Sequence, residues 1–475
     1  MAETETRSET PALGWAAGAT PLVGLSGAIL AVVLALVLGW PMLAVGGELV
    51  FADTESYVRG GRIVWTMGTD LLGDLLGVAP EGGGGIGDGG DALVNARGEP
   101  IVVRSFIYSA YTFVAGAQIW RPGFALLQAA MTLWMLFALI GRDALARPGI
   151  LGVTFLYLAA FTTLPWFAAY QMPDLLAATV ILWGAILVWR FDDLRPWQQV
   201  ALALIAAFAV AAHYGHGAVA AALYGAVLLW RLVRRRLTLA VVVAAAFPVL
   251  FAPLANLGAS SVALDKPSVT PLRLPILLAR SIADGPARWY LEDACPEAPL
   301  AFCEAFGDEV PRINEFLWGE EGIDSLSPEL LDRIRDEEFL VLARAFREYP
   351  LEQSISLFGN GALQIVRVGL GGIRVDVGEG ASDARARAVV GTFDRIVPWT
   401  TWAAGALLTW LALRRRLGRA ELETAAVVVL GLLVNAAIFG GLSAPVDRYQ
   451  SRAIWLLPAL AGIFIATRAG RPRGG

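Results

Sequence analysis

The sequence predicts an all-α polytopic membrane protein of about ten transmembrane helices, with amphipathic juxtamembrane helices and a small extracytoplasmic insertion. Three observations point there: charge too sparse for a soluble chain, apolar blocks of membrane-crossing length, and arginines gathered in every second connection. The first is compositional. Of 475 residues, 56% are hydrophobic and 17% charged, with a mean hydropathy of +0.59. Soluble domains carry about a quarter charged residues. A net charge of −5 supplies no basic field for nucleic acid.

The second observation is the blocks themselves, near 22–43, 123–141, 149–168, 174–190, 198–212, 217–231, 237–253, 396–413, 424–441 and 453–467. Crossing a hydrocarbon core of about 30 Å takes about twenty helical residues, and the shorter blocks suit helices packed inside a bundle. The N-terminus, MAETETRSET, is acidic, and the apolar run after it has no small-x-small cleavage site. That run reads as a retained first span.

The third observation orients the chain. Arg142 and Arg147, Arg190 and Arg195, Arg231 with Arg234–Arg236, Arg414–Arg416 with Arg419, and Arg468, Arg471 and Arg473 fall in alternate connections and the tail. Such alternation places the basic loops and both termini in the cytoplasm of a multi-pass cell membrane, a bacterial inner membrane being expected. Ser354–Leu370 is moderately apolar, but as a span it would move Arg414–Arg419 outside and bury Asn360, Gln364 and Arg367 at mid-bilayer. It is therefore expected at the interface or on the bundle rim. Before it, Phe339, Leu340, Leu342, Ala343 and Phe346 form one helical face opposite Glu337, Arg344, Arg347 and Glu348, and Tyr349-Pro350 ends that helix.

The chain then divides into an N-terminal transmembrane module (1–253, about seven spans), an extracytoplasmic loop domain (254–395) and a C-terminal module (396–475, about three spans). The first external loop, 45–121, contains a flexible glycine-rich stretch, EGGGGIGDGG. Both cysteines, Cys295 and Cys303, lie in the loop domain, where a disulfide or two free thiols are the alternatives.

The external connections carry the polar residues that need explaining. Phe51-Ala-Asp53-Thr-Glu55-Ser-Tyr57 follows the first span. Asp53 suits a helix N-cap and Glu55 a first turn, or both are catalytic acids. Gln171-Met-Pro-Asp174 joins the third and fourth spans, with Pro173 fit to open a helix. The only histidines, His213 and His216, join the fifth and sixth. Zinc would need further ligands, so substrate contact or hydrogen bonding is the preferred role, and no metal site is assigned.

Asp447-Arg448-Tyr449, with Arg452, occupies the one short external loop that is basic. A salt bridge to Asp447, lipid headgroups or a bound phosphate could each hold Arg448 there. Arg104, ahead of Tyr108 and Tyr111, is a second anion candidate. Acids that activate a hydroxyl and arginines that hold a phosphate, on one membrane face, describe group transfer from a lipid carrier.

This layout resembles the glycosyltransferase-C superfamily, which includes aminoarabinose, galacturonosyl and protein mannosyl transferases that use polyprenyl-phosphate sugars. The residues that carry the resemblance are Asp53, Glu55 and Tyr57 after the first span, Arg104 to Tyr111 before the second, Asp174 after the third, and Arg448-Tyr449 before the last, with the long late loop. It covers most of the chain in layout and few residues in motif. The resemblance implies a polyprenyl-phosphate-linked sugar donor, a glycan, lipid or protein acceptor, surrounding membrane lipids, and an inverting reaction. Asp53 would be the base, with Glu55 or Asp174 assisting. Arg448, with Arg104, would hold the departing phosphate, and Tyr57, Tyr108, His213, His216 and Tyr449 would contact substrate. No cofactor is firmly implied, and room is left for a divalent cation. Acid-Thr-acid replaces the adjacent acids of many relatives, which leaves Asp53 and Glu55 as alternative bases. The glycine-rich insertion, the Cys295–Cys303 segment and Asn314–Trp318 match no subfamily.

A transporter or flippase of lipid-linked glycan is the alternative, although transporters carry inverted repeats and mid-membrane polar sites that are not evident here. A non-catalytic assembly subunit is another, with Phe316, Leu317 and Trp318 as a contact or as packing. No GxxxxGK[ST] loop, GxSxG elbow or CxxC motif occurs, and the glycine run at 82–85 lacks the strand-turn-helix context of a Rossmann fingerprint, which disfavours nucleotide-driven or nicotinamide chemistry.

Overall fold

A computed structural model describes residues 22–62, 64–65, 104–264, 267, 269, 274–295, 297–376 and 381–470. The glycine-rich stretch 82–90 lies outside the described residues. Helix accounts for nearly all regular structure. Six helices are long and apolar enough to cross a membrane: Leu25–Val45, Tyr214–Val233, Leu239–Ser261, Ser382–Leu413, Arg419–Gly441 and Asp447–Gly470. Shorter apolar helices are Phe106–Ala117, Pro122–Phe137, Pro148–Phe161, Pro173–Trp189 and Pro196–Ala211. The chain is an all-α membrane protein. Exposed Leu25, Ile29, Val33 and Leu36 on the first helix, and Leu239, Val243, Leu250 and Leu254 on another, form apolar stripes suited to lipid.

At the centre runs Leu176–Trp189, apolar on every side and buried from Leu176 to Val188. The helices Pro122–Phe137, Pro196–Ala211, Tyr214–Val233 and Arg419–Ala436 pack around it. Gly431 admits Ile181 there, since a Cβ on that glycine would lie 2.8 Å from the Ile181 side chain.

Contacts divide the connections between two ends of the bundle. At one end Arg231 pairs with Asp192 (2.9 Å), Arg234 with Glu423 (3.3 Å) and Arg468 with Glu421 (2.9 Å), and Arg147 Nε donates to the Ala469 carbonyl. This is the arginine-rich face. The opposite, loop face gathers the segments around residues 48–57, 104–108, 170–174, 213–216 and 443–449.

Several expected boundaries shift. The third block, 149–168, is broken: Pro148–Phe161 ends at the extended Thr162, and a short helix, Leu164–Ala169, follows. The helix after the sixth block runs to Leu264, and the helix containing 396–413 begins at Ala381, inside the region assigned to the loop domain. Its first turns carry Asp383, Arg385 and Arg387, solvated residues that break the apolar signal without breaking the helix.

Within the loop region, helices between Ile276 and Glu348 enclose a small core of their own, built on Leu278, Leu291, Phe302, Phe316, Ile334 and Val341. Phe316 and Leu317 belong to it and are buried, so of the proposed contact trio only Trp318 is exposed. Cys295 and Cys303 are joined in a disulfide with Cα atoms 4.9 Å apart. The Pro328–Glu348 helix buries Leu331, Ile334, Val341 and Ala345 in that core and leaves Phe339, Leu340 and Phe346 outward.

Pro350–Val366 follows as a separate helix and lies across the 437–441 turn, where a Cβ on Gly440 would meet the Asn360 carbonyl at 2.7 Å. Its outer side exposes Leu351, Ile355 and Phe358. Among the described residues the only paired strands are Glu48–Val50 and Arg374–Asp376, antiparallel, which fasten the first loop to the end of the loop region, and a single parallel bridge joins Leu49 to Tyr170. Three-residue strands are too short to leave an alternating pattern in a sequence.

Candidate functional site

Connections from across the chain meet at the loop face, each held for a local reason. The first is the turn at Phe51–Asp53, ahead of a helix over residues 54–62. Thr54 Oγ1 accepts from Phe51 N at 3.0 Å and donates to the Gln171 carbonyl at 3.0 Å. Gln171 answers by donating its backbone N–H to the Leu49 carbonyl (2.9 Å) and its side-chain amide to Glu48 (2.7 Å). The two acidic connections are thereby locked side by side.

Asp53 sits at the start of its helix, its carbonyl accepting from Tyr57 N at 3.2 Å, while its carboxylate accepts from Arg104 Nη2 at 2.5 Å. The helix-start reading and the site reading are therefore compatible. Glu55 faces elsewhere: Arg121 Nη2 lies 3.1 Å away and Arg59 Nε 3.6 Å, and the side chain is 48% exposed. Of the two acids in the acid-Thr-acid sequence, Asp53 points toward the other candidates.

The second connection delivers Asp174. Pro173 opens a tight turn, Pro173–Leu175, that feeds the central helix, and Asp174 is buried at its head. Two arginines of the Asp447–Ile454 helix reach it. Arg448 Nε and Arg452 Nη1 each lie 3.5 Å from Asp174 Oδ1. Residues four apart share a helix face, where like charges repel, so the carboxylate between them and the rings around them hold the pair. Arg448 lies 4.0 Å from the Phe51 ring centroid and Arg452 3.9 Å from that of Phe439, with Tyr449 at 5.2 Å from both. Cation–π attraction strengthens where water is excluded. Arg452 Nη2 also donates to Asn435 Oδ1 at 2.9 Å, and Asn435 Nδ2 donates to the Tyr449 carbonyl at 2.7 Å.

Arg448 was a candidate for pairing with Asp447, and the structure assigns it to Asp174; Asp447 faces Arg367 at 3.8 Å. The arginine helix is gripped from the loop region. Gln364 donates to the Val446 carbonyl and accepts from Val446 N, both at 2.9 Å, and Gly369 N donates to Ser451 Oγ at 2.8 Å.

The histidines form the far wall. His213 Nδ1 accepts from Gly215 N at 3.1 Å, capping the Tyr214–Val233 helix. His216 Nδ1 lies 2.8 Å from the Ala209 carbonyl, which can only accept, so that nitrogen carries the proton and Nε2 the lone pair. The rings stand 5.1 Å apart, with Phe439 against both. Burial pushes His213 well below the ordinary histidine range, and His216, Arg452, Arg104 and Arg448 all push the same way. It is neutral.

Charge balance sets the chemistry. Arg104 and Asp53 cancel. Among the described residues, Arg448 and Arg452 share the single carboxylate of Asp174, two guanidinium charges to one carboxylate. Arg448 Nη1 and Arg452 Nε make no hydrogen bond among the described residues. Burying an uncompensated charge costs several kcal/mol, so such a cluster can accommodate an anion. Burial raises the Tyr57 hydroxyl above its ordinary range, with Arg104 opposing and Asp53 and Asp174 adding to the rise. Tyr57 therefore lies within the fields of both acids and of Arg104.

Asp53, Tyr57, Arg104, Asp174, His213, Arg448 and Tyr449 thus share one region. Tyr108 stands behind Tyr57, ring to ring at 4.9 Å, fully buried with its hydroxyl donated to Gln128; His216 is equally buried. Asn435, Phe51, Phe439 and Gln364, and the sharing of Asp174 between Arg448 and Arg452, are contributions that sequence reasoning missed. Asn435 left a signal as an amide within an apolar span, and Gln364 as one within a moderately apolar stretch. Among the described residues no group of three or more His, Cys, Asp or Glu side chains could hold a metal ion. Comparison with protein-family models, curated proteins and solved structures finds no match for this chain.

Proposed function

We propose that this protein is a membrane glycosyltransferase of the glycosyltransferase-C type. On this reading about ten helices span a bacterial inner membrane, both termini and the arginine-rich face are cytoplasmic, and the loop face is extracytoplasmic. The six long helices and four of the five shorter ones fall on the expected spans; Phe106–Ala117 belongs to the first loop.

The donor is a polyprenyl-phosphate-linked sugar, and the acceptor a glycan, lipid or protein hydroxyl. Asp53 takes the hydroxyl proton as the acceptor oxygen attacks the anomeric carbon. The bond from that carbon to the phosphate oxygen breaks, and the lipid phosphate leaves with the electron pair toward Arg448 and Arg452. Attack opposite the leaving group inverts the anomeric centre. Arg104 aims the Asp53 carboxylate, and Asp174 fixes both arginines.

The observation that carries this reading is the buried Asp174 shared by Arg448 and Arg452, two guanidinium groups on one carboxylate, in the same region as the Asp53 carboxylate that Arg104 orients. The test uses the purified protein with polyprenyl-phosphate sugars and acceptor extracts. Sugar transfer that disappears in Asp53→Asn and in Arg448→Gln is expected. Wild-type turnover by Asp53→Asn would overturn the chemistry, and glycolipid movement across liposomes without covalent product would favour a flippase.

A further inference from the structure

Away from the loop face, the bundle carries a groove that the proposed reaction leaves unused. The helices Pro148–Phe161, Ala381–Leu413 and Leu456–Gly470 line a slot of about 510 Å³ whose walls include Ile150, Val153, Ala404, Leu407, Ala461 and Gly462. Small residues let its floor close tightly, for a Cβ on Gly462 would lie 2.2 Å from Thr154 Oγ1. Thr154 donates to its own helix at the Ile150 carbonyl, and the Tyr157 hydroxyl to the Thr400 carbonyl, both at 2.8 Å. The slot therefore presents hydrocarbon.

Ile150 and Ile465 also border a second cavity, of about 1050 Å³, at the arginine-rich face. Arg147, Arg416, Arg468 and Trp410 stand on its rim. Arg468 is held by Glu421 at 2.9 Å. Arg147 spends only its Nε, on the Ala469 carbonyl, and among the described residues neither Arg147 nor Arg416 has a carboxylate partner. An apolar slot thus opens into a mouth with surplus positive charge. From Gly149 to Tyr157 a helix rises about 12 Å, close to the roughly 15 Å of one leaflet's hydrocarbon.

We propose that this groove binds one anionic phospholipid, with its phosphate between Arg147 and Arg416 and one acyl chain in the slot. Arginine forks suit phosphate oxygens, and basic pockets between membrane helices select anionic headgroups. A free phosphate would leave the slot empty, and a zwitterionic lipid would leave the mouth's charge unbalanced. The inference does not rest on the proposed reaction, which lies at the other face.

The test is native mass spectrometry of the full-length protein in mild detergent, titrated with phosphatidylglycerol or phosphatidylcholine. Wild type is expected to retain phosphatidylglycerol preferentially. Arg147→Gln with Arg416→Gln should weaken that retention about tenfold and leave phosphatidylcholine unchanged. Gly149→Phe, at a position with nothing within 4 Å of its Cβ, should fill the slot and weaken both lipids. Arg236→Gln with Arg414→Gln, arginines outside the groove, should change neither. Equal retention of the two lipids by wild type would overturn the proposal. So would undiminished phosphatidylglycerol binding by the Arg147/Arg416 variant, an equal loss in the control pair, or inorganic phosphate matching phosphatidylglycerol in thermal protection.

Discussion

Replacing Asp174 with Asn removes the one carboxylate that faces two buried arginines. Each arginine nitrogen stands 3.5 Å from Asp174 Oδ1, and the Asp174 side chain is 4% exposed. At that separation and an effective dielectric constant of about 20, each pair attracts by roughly 5 kcal/mol. Desolvation and the mutual repulsion of Arg448 and Arg452 offset much of the sum. Breaking a buried pair by deleting one partner typically costs about 3–5 kcal/mol, because the charge left behind remains buried. Asp174→Asn should therefore lose about that much stability in thermal or denaturant unfolding of the detergent-solubilised protein, and Asp174→Glu should keep most of it. A short-chain prenyl phosphate should restore part of the loss, since a ligand at a hundred times its dissociation constant contributes about 2.7 kcal/mol. An Asp174→Asn protein as stable as wild type with no added anion would refute the charge imbalance on which the site rests.

Three further predictions concern separate parts of the site. Asp53→Asn should lower transfer by about 10²–10⁴-fold, whereas Glu55→Gln, at a half-exposed side chain tied to Arg121, should stay within about threefold of wild type; kcat measured on both variants decides this. Gly440→Ala places a methyl against the Asn360 carbonyl and Gln364 Cβ. It should cost about 1–3 kcal/mol and, by lifting Gln364 from Val446, reduce turnover more than a stability-matched substitution elsewhere. His213 lies well below its unfolded value of about 6.5, so the folded state binds fewer protons. Its stabilising contribution is complete above about pH 6.5 and is lost as the pH falls toward the folded value. Melting temperatures recorded from pH 7 to pH 5 should fall more steeply for wild type than for His213→Asn.

The gathering of arginine-bearing connections at one end of the bundle was legible because charge at helix ends is governed by short-range rules. Arg147, Arg231, Arg234 and Arg468, read from the sequence as sharing a side, all make contacts at one end of the bundle. The meeting of Asp53, Asp174 and Arg448 followed from the same reasoning. Partner choice did not. Nothing local says that Arg448 takes Asp174 rather than its neighbour Asp447, or that Glu55 turns toward Arg121, 66 residues on, because those outcomes depend on how segments distant in the chain pack together. Helix ends were equally hidden where solvation rather than apolarity continues a helix, as at Ala381–Arg395. Gln364 belonged to a stretch read only as rim, and its grip on Val446 depends on the close approach at Gly440.

The pairing of Glu48–Val50 with Arg374–Asp376 also bears on how the molecule is made. Translation at about 5–20 residues per second separates Asp53 from Arg448 by on the order of a minute. For most of that interval the acidic turn exists while the strand that anchors it, the glutamine that clamps Val446 and both arginines are still unsynthesised. On the proposed reading, a chain terminated before Arg448 lacks both arginines that hold the leaving phosphate at the loop face. Competence, on that same reading, arrives with insertion of the final helix, the segment that brings Arg448 and Arg452 to Asp174.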